Sequence, residues 1–180
     1  MNQQSLSERY SRASVALHWL MVLAFVVVYA AINVADLFDK GTAARQFAKN
    51  MHFSFGLLVF ALVWVRLVFR LQGSTPPIVP APPVRQEQLG KLVHLALYML
   101  MIAMPLLGWL VLSAGGKPIP FFGLDLPALL AEDKPFGRQL RQVHELGANV
   151  GYVLIAGHAA AALFHHYFVK DNTLKRMWFK

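Results

Sequence analysis

The chain has 180 residues, of which 57% are apolar and 14% charged, and it contains no cysteine. Soluble domains average roughly 45–50% apolar and about 25% charged residues, so this composition excludes an ordinary water-soluble domain. The missing cysteine excludes disulfides, thiolate metal sites, iron–sulfur clusters and covalent c-type haem attachment.

A helix needs about 20 predominantly apolar residues to cross the hydrocarbon of a bilayer. Four stretches qualify: about residues 14–34, 51–69, 92–112 and 143–168. The first follows Arg9 and Arg12 and superficially resembles a secretory leader. Its length, its lack of a small-x-small cleavage site and the His18-Trp19 pair inside it predict a retained helix. The connection at 36–50 is short and polar. The connection at 72–91 holds Thr75-Pro76-Pro77-Ile78-Val79-Pro80-Ala81-Pro82-Pro83, which predicts a stiff extended crossing. The connection at 113–142 carries Phe121, Phe122, Leu129 and Leu130 and has room for a short helix on the membrane surface. The whole chain, 1–180, reads as one all-α, four-helix transmembrane domain.

The net charge of +8 does not point to nucleic acid, because the basic residues lie between the apolar stretches, where membrane topology accounts for them. One side takes Arg9, Arg12, Arg66, Arg70, Arg85, Lys91, Lys170, Lys175, Arg176 and Lys180. The other takes Lys40, Arg45, Lys49, Lys117, Lys134, Arg138 and Arg141. Acidic residues fall three against six in the opposite sense. Cationic loops stay in the cytoplasm, so both termini are expected there.

Seven histidines, His18, His52, His94, His144, His158, His165 and His166, all lie in or at the edge of a span. Ionisable groups in hydrocarbon are costly, and they face a bundle interior or a partner. His144 and His158 are 14 residues apart on one helix, which places them about 21 Å apart and within about 40° of one face. That helix therefore offers two imidazoles to one side at two depths. Gly147, Ala148 and Gly151 lie between them, where small residues serve either a flat macrocycle or close helix packing. Topology sets the partners: His52 opens the second helix on the outer side, like His144, whereas His18 and His158 share the inner half. Two separated histidine pairs lack the three or four ligands that zinc takes. Two axial histidines per iron suit two b-type haems, stacked across the bilayer as an electron wire.

Other candidates have two readings each. His94 opens the third helix without an opposite histidine and suits a structural or propionate-contacting role. Arg66 and Arg70 suit haem propionates or positive-inside anchoring. Lys134, Arg138 and Arg141 precede His144 and form either a cationic funnel for anions or a solvated helix face. His165, His166 and Lys170 suit a quinone head group or an interfacial belt.

These residues resemble the bacterial cytochrome b561 family, and within it the small stand-alone di-haem members of superoxide oxidase type. The likeness covers nearly the whole chain: Tyr10-Ser11-Arg12 before His18-Trp19, then Met51-His52, Thr75-Pro76-Pro77, His94-x-x-x-Tyr98 and Pro105-x-x-Gly108. The fourth helix and tail carry the most specific part. They read His144-Glu145, Ala148-Asn149-x-Gly151-Tyr152, Gly157-His158-Ala159-Ala160 and His165-His166-Tyr167-Phe168-x-Lys170-Asp171-Asn172-Thr173-Leu174. The resemblance implies haem ligation by His18, His52, His144 and His158 in a bacterial inner membrane. It further implies one-electron oxidation of superoxide at the outer face and reduction of ubiquinone within the membrane, with no obligatory protein partner. One alternative is a cytochrome subunit passing electrons from a hydrogenase or dehydrogenase to quinone. Another, a transporter with histidines along a proton or metal path, lacks the deep acidic residues that such paths use; Glu145 alone stands near a span, at its boundary.

Overall fold

The computed structural model describes residues 9–179; Glu8 and Lys180, counted above in the charge balance, lie outside them. Four helices carry the fold: α1 (Arg12–Ala35), α2 (Ala43–Gln72), α3 (Val84–Ala114) and α4 (Lys134–Phe164). Three begin on side-chain caps. Ser11 Oγ accepts the Ser14 N–H at 3.2 Å, Thr42 Oγ1 the Arg45 N–H at 3.3 Å, and Asp133 Oδ1 the Phe136 N–H at 2.9 Å. Each cap satisfies an otherwise orphaned first-turn donor. α3 starts instead directly after Pro83, where the extended proline run ends.

α2, α3 and α4 are 30, 31 and 31 residues long. At 1.5 Å per residue that is about 45 Å, well beyond a hydrocarbon core of about 30 Å. Hydropathy marks the part of a helix that meets lipid, not the helix itself. Polar first turns rich in Ala, Arg, Gln, Glu and Lys extend these three helices by eight or nine residues at their N-terminal ends. His52, His94 and His144 therefore lie more than two turns inside their helices rather than at the openings, which corrects the sequence expectation.

The surface helix allowed for at 113–142 is replaced by a hairpin, β1 (Ile119–Phe121) and β2 (Leu124–Leu126), antiparallel with Ile119 opposite Leu126 and Phe121 opposite Leu124. Pro118, Pro120 and Pro127 oppose a helix there. The two-residue turn Phe122-Gly123 has both φ values positive, 49° and 88°, the conformation that matches the twist of a tight hairpin. Ser54 of α2, buried, anchors it: its hydroxyl donates to the Pro120 carbonyl and accepts the Phe122 N–H, both at 3.2 Å.

α1 packs on α2, α2 on α3 and α3 on α4. Two apolar clusters fill the interior. Leu17, Met21, Ala24, Val59, Val63 and Met101 form one; Leu57, Leu112 and Ile119 form the other, beneath the hairpin. α4 buries little more than Gly137 and Gly151. Outward, Leu23, Val26, Leu92, Met99, Leu146 and Val153 are all more than half exposed. A soluble protein rarely shows so much contiguous apolar surface. With four helices of spanning length and hydropathy, the molecule is an integral membrane four-helix bundle whose apolar exterior faces lipid.

Beyond α4 a single π-helical turn, His165–Val169, leads to Lys170 in the left-handed region (φ 60°) and a 3₁₀ turn at Lys175–Met177. This tail ties the ends of the bundle together. Asn172 accepts the Val79 N–H at 2.8 Å through Oδ1, and its own N–H donates to the Val79 carbonyl at 3.1 Å. Arg176 donates to the Pro76 carbonyl, its carbonyl accepts the Tyr10 N–H, and Trp19 Nε1 donates to the Met177 carbonyl. The proline-rich crossing is extended over residues 73–83, as expected, and pinned by these bonds, whereas residues 84–91 of the expected connection belong to α3.

Candidate functional site

The histidines come together in two places. Near the hairpin, the His52 and His144 ring centroids lie 6.2 Å apart with planes at 83°. Toward the termini, His18 and His158 lie 6.4 Å apart at 77°. Both pairings match the topology argument. The spacing carries chemical information. A metal–imidazole bond is about 2.0–2.1 Å and the bonded nitrogen lies about 1.1 Å from its ring centre, so rings on opposite sides of one metal have centroids about 6.3 Å apart. Among the described residues no three His, Cys, Asp or Glu side chains are placed to hold one metal ion; the hairpin side brings two imidazoles together, and the termini side has His94 beside its pair.

The hairpin-side pair opens into a cavity of about 670 Å³ including its mouth, walled almost entirely by apolar groups of α1, α2, α3 and β1, with Ala148 of α4. His52 Nδ1 lies 2.9 Å from the Val28 carbonyl. Donating its proton there leaves the Nε2 lone pair for a metal, the usual arrangement for a ligating histidine. His144 Nδ1 is buried with no hydrogen-bond partner among the described residues. Two glycines make room. Gly56 lines the cavity with nothing within 4 Å of where a Cβ would stand, and a Cβ on Gly108 would lie 3.3 Å from His144 Cε1. A flat apolar macrocycle with two axial imidazoles fits these residues.

The small residues of α4 divide between the two readings. Ala148 lines the cavity. Gly147 accommodates Met104, whose Sδ would be 2.5 Å from an added Cβ, and Gly151 accommodates the Tyr29 hydroxyl and Leu100. The two glycines thus serve helix packing.

On the termini side, Arg66 is a charged neighbour of His18, His94 and His158, which suits an acidic cofactor substituent there. Arg70 instead hydrogen-bonds the Thr75 hydroxyl. His94 is not isolated: its ring centroid lies 5.3 Å from that of His158, closer than two ligands across one metal allow. It stands beside a pair rather than forming one.

The other candidates are scattered among different partners. Lys134 pairs with Glu132 at 3.0 Å and Arg141 with Glu145 at 2.7 Å, while Arg138 is exposed. Lys49 has Arg45, Lys117 and Arg141 as cationic neighbours and Asp36 as an anionic one, with Arg45 paired to Asp36 at 2.8 Å; α2 and the turn after α3 thus bring basic residues that the sequence reading did not place with the funnel. His166 is half-buried with its ring against Tyr167, and Lys170 is exposed. His165 is engaged on both nitrogens: Nδ1 lies 2.5 Å from Asp171 Oδ2, and Nε2 2.8 Å from Gln86 Nε2. Burial alone would raise the Asp171 carboxyl. The hydrogen bonds from His165 and Thr173 outweigh it and hold Asp171 below the usual carboxylate range. Sequence reasoning assigned no role to Gln86, Asp171, Tyr29, Gly56 or Gly108. Gly56, one turn beyond His52, was the one with a readable signal.

Comparison with known proteins agrees with this geometry. The family model described as prokaryotic cytochrome b561 matches residues 9–180. The chain is 38% identical to cytochrome b561 homolog 1 of Escherichia coli (strain K12), over 94% of this chain and 96% of that protein. It is 35% identical to the probable superoxide oxidase CybB of Yersinia pestis (96% and 97%) and 32% identical to cytochrome b561 homolog 2 of E. coli K12 (98% and 95%). The chain belongs to the prokaryotic cytochrome b561 family. It is therefore a membrane electron-transfer protein of a family that binds b-type haem.

Proposed function

We propose that this chain is a di-haem cytochrome that takes electrons from superoxide on the hairpin side, the periplasmic face, and delivers them to ubiquinone near the termini, the cytoplasmic face. The observation that carries the reading is the pair of histidine pairs, at 6.2 and 6.4 Å, with α4 contributing one member to each. His52 and His144 hold one haem, His18 and His158 the other. When bound, the haems supply reversible one-electron chemistry at iron.

The chain's own residues do the rest. The apolar walls exclude water and lower the local dielectric. Val28 fixes the His52 tautomer, and Arg66 places positive charge beside the termini-side pair. His52 and His144 would hold the haem on this side, and the group would supply one-electron exchange with superoxide there. Gathered charge at Arg45, Lys49, Lys117 and Arg141, with Lys134 and Arg138 farther along the chain, favours an anion approaching from that side. The 35% identity to a probable superoxide oxidase supports this donor. At the other end, His165, His166 and Lys170 surround the quinone.

The deciding measurement is an absorption spectrum of detergent-purified protein, oxidised and reduced, with haem extraction, followed by superoxide oxidation with ubiquinone as acceptor. Two non-covalent b haems per chain with a sharp low-spin reduced band, and quinone-dependent loss of superoxide, are expected. One haem would remove one of the two pairs. Two haems without superoxide activity in the protein alone would move the reading to a cytochrome subunit fed by a partner enzyme.

A further inference from the structure

His165 and Asp171 are six residues apart, a spacing that a regular α-helix would send to different faces. The π-helical turn brings them together. It lets the chain reverse at Lys170, with the Asp171 N–H donating to the His165 carbonyl at 3.3 Å. Single π turns are rare and cluster at functional sites. Asp171 is then fully engaged: Oδ2 faces His165 Nδ1 at 2.5 Å, and Oδ1 accepts the Thr173 N–H at 2.8 Å. Its side chain is 1% exposed, against 13% for His165. The second ring nitrogen of His165 is met by the Gln86 amide from the first turn of α3. Arg176, its guanidinium over the Tyr10 ring at 5.8 Å, is the cation facing Asp171. A tail held only for anchorage has no need of a buried imidazole between a carboxylate and an amide.

Resting on the quinone reading above, we propose that Asp171 and Gln86 complete the quinone site: Asp171 holds the Nδ1–H of His165 so that Nε2 delivers a proton to a quinone carbonyl oxygen, and the Gln86 amide occupies that oxygen's place in its absence. Reduction of a quinone to a quinol takes up two electrons and two protons. The electrons come from superoxide through the family's electron-transfer activity. For one of the protons, the Nε2–H bond of the imidazolium breaks and an O–H bond forms on the quinone. The neutral ring keeps its Nδ1–H on Asp171, and water from the termini side restores the proton to Nε2. The other proton enters from water at the opposite carbonyl. Asp171 is a positioning residue that sets the tautomer and balances the imidazolium charge.

The test uses haem-loaded protein, reduced beforehand and mixed with a short-chain ubiquinone, so that superoxide plays no part. Haem reoxidation is followed from pH 5.5 to 9, and binding of the same ubiquinone to the oxidised protein is measured by calorimetry. Asp171→Asn should slow reoxidation at neutral pH by about tenfold or more. Its ubiquinone affinity should change little. Gln86→Ala should bind ubiquinone about two- to tenfold more tightly, since no amide must be displaced. If His165→Ala abolishes reoxidation but Asp171→Asn reoxidises at the wild-type rate, the proposal falls and the quinone reading stands. If His165→Ala also behaves as wild type, the quinone lies elsewhere and both fall. Should Asp171→Asn lose its haem, unchanged ubiquinone affinity in Gln86→Ala overturns the proposal.

Discussion

Individual side chains account for the cofactor chemistry, and glycines matter as much as histidines. At Gly108 the α3 backbone passes so close to His144 that any Cβ crowds the imidazole at 3.3 Å. A branched side chain there must push the ring from its axial position, since a packed core does not absorb added volume freely. On the proposed reading of two haems, Gly108→Leu should therefore halve the haem-to-protein ratio in an extraction assay; two retained haems would mean that His144 tolerates displacement. The histidine pairs were legible in the sequence because rise and rotation along a helix are fixed. Both places where the rings meet were reached from residue spacing and topology alone. Gln86 and Asp171 were not legible, because their meeting with His165 depends on a π turn and a left-handed Lys170, neither of which has a hydropathy signature. The division of labour between Ala148 and its neighbouring glycines likewise needed the positions of Met104 and Tyr29.

At the level of elements, the four spans were readable, whereas their beginnings and the hairpin were not. Lipid exposure imposes the apolar stretches, but caps at Thr42 and Asp133 decide where α2 and α4 start. The 113–142 connection has apolar residues that suggest a surface helix. Its prolines and the Phe122-Gly123 turn favour paired strands instead. The hairpin in turn depends on one hydroxyl, since Ser54 serves both Pro120 and Phe122. Ser54→Ala removes both hydrogen bonds, at a cost of about 0.5–1.5 kcal/mol each. A lower midpoint in denaturing-detergent unfolding with unchanged haem content is expected; an unaltered midpoint would indicate that the hairpin holds by packing of Ile119 alone.

For the molecule as a whole, the hairpin side sets seven basic residues against six acidic ones, so attraction of anions there rests on the local arrangement around Lys49, Arg138 and Arg141. Arg138→Glu with Arg141→Glu reverses part of that field and also breaks the Arg141–Glu145 pair. Superoxide oxidation should slow, and its decline with ionic strength should flatten, with haem content unchanged; long-range steering of this kind is screened over about 8–10 Å at physiological salt. Rates equal to wild type at low salt would remove these two residues from the approach path. A different consequence follows from α4, which lends one histidine to each pair. Inserting or deleting one residue between 144 and 158 would turn one imidazole about 100° away from its partner. Natural length variation within the family should therefore collect in the 73–83 crossing and around the hairpin. Those 14 steps of α4 work as a gauge block, keeping a constant length while the loops around them drift.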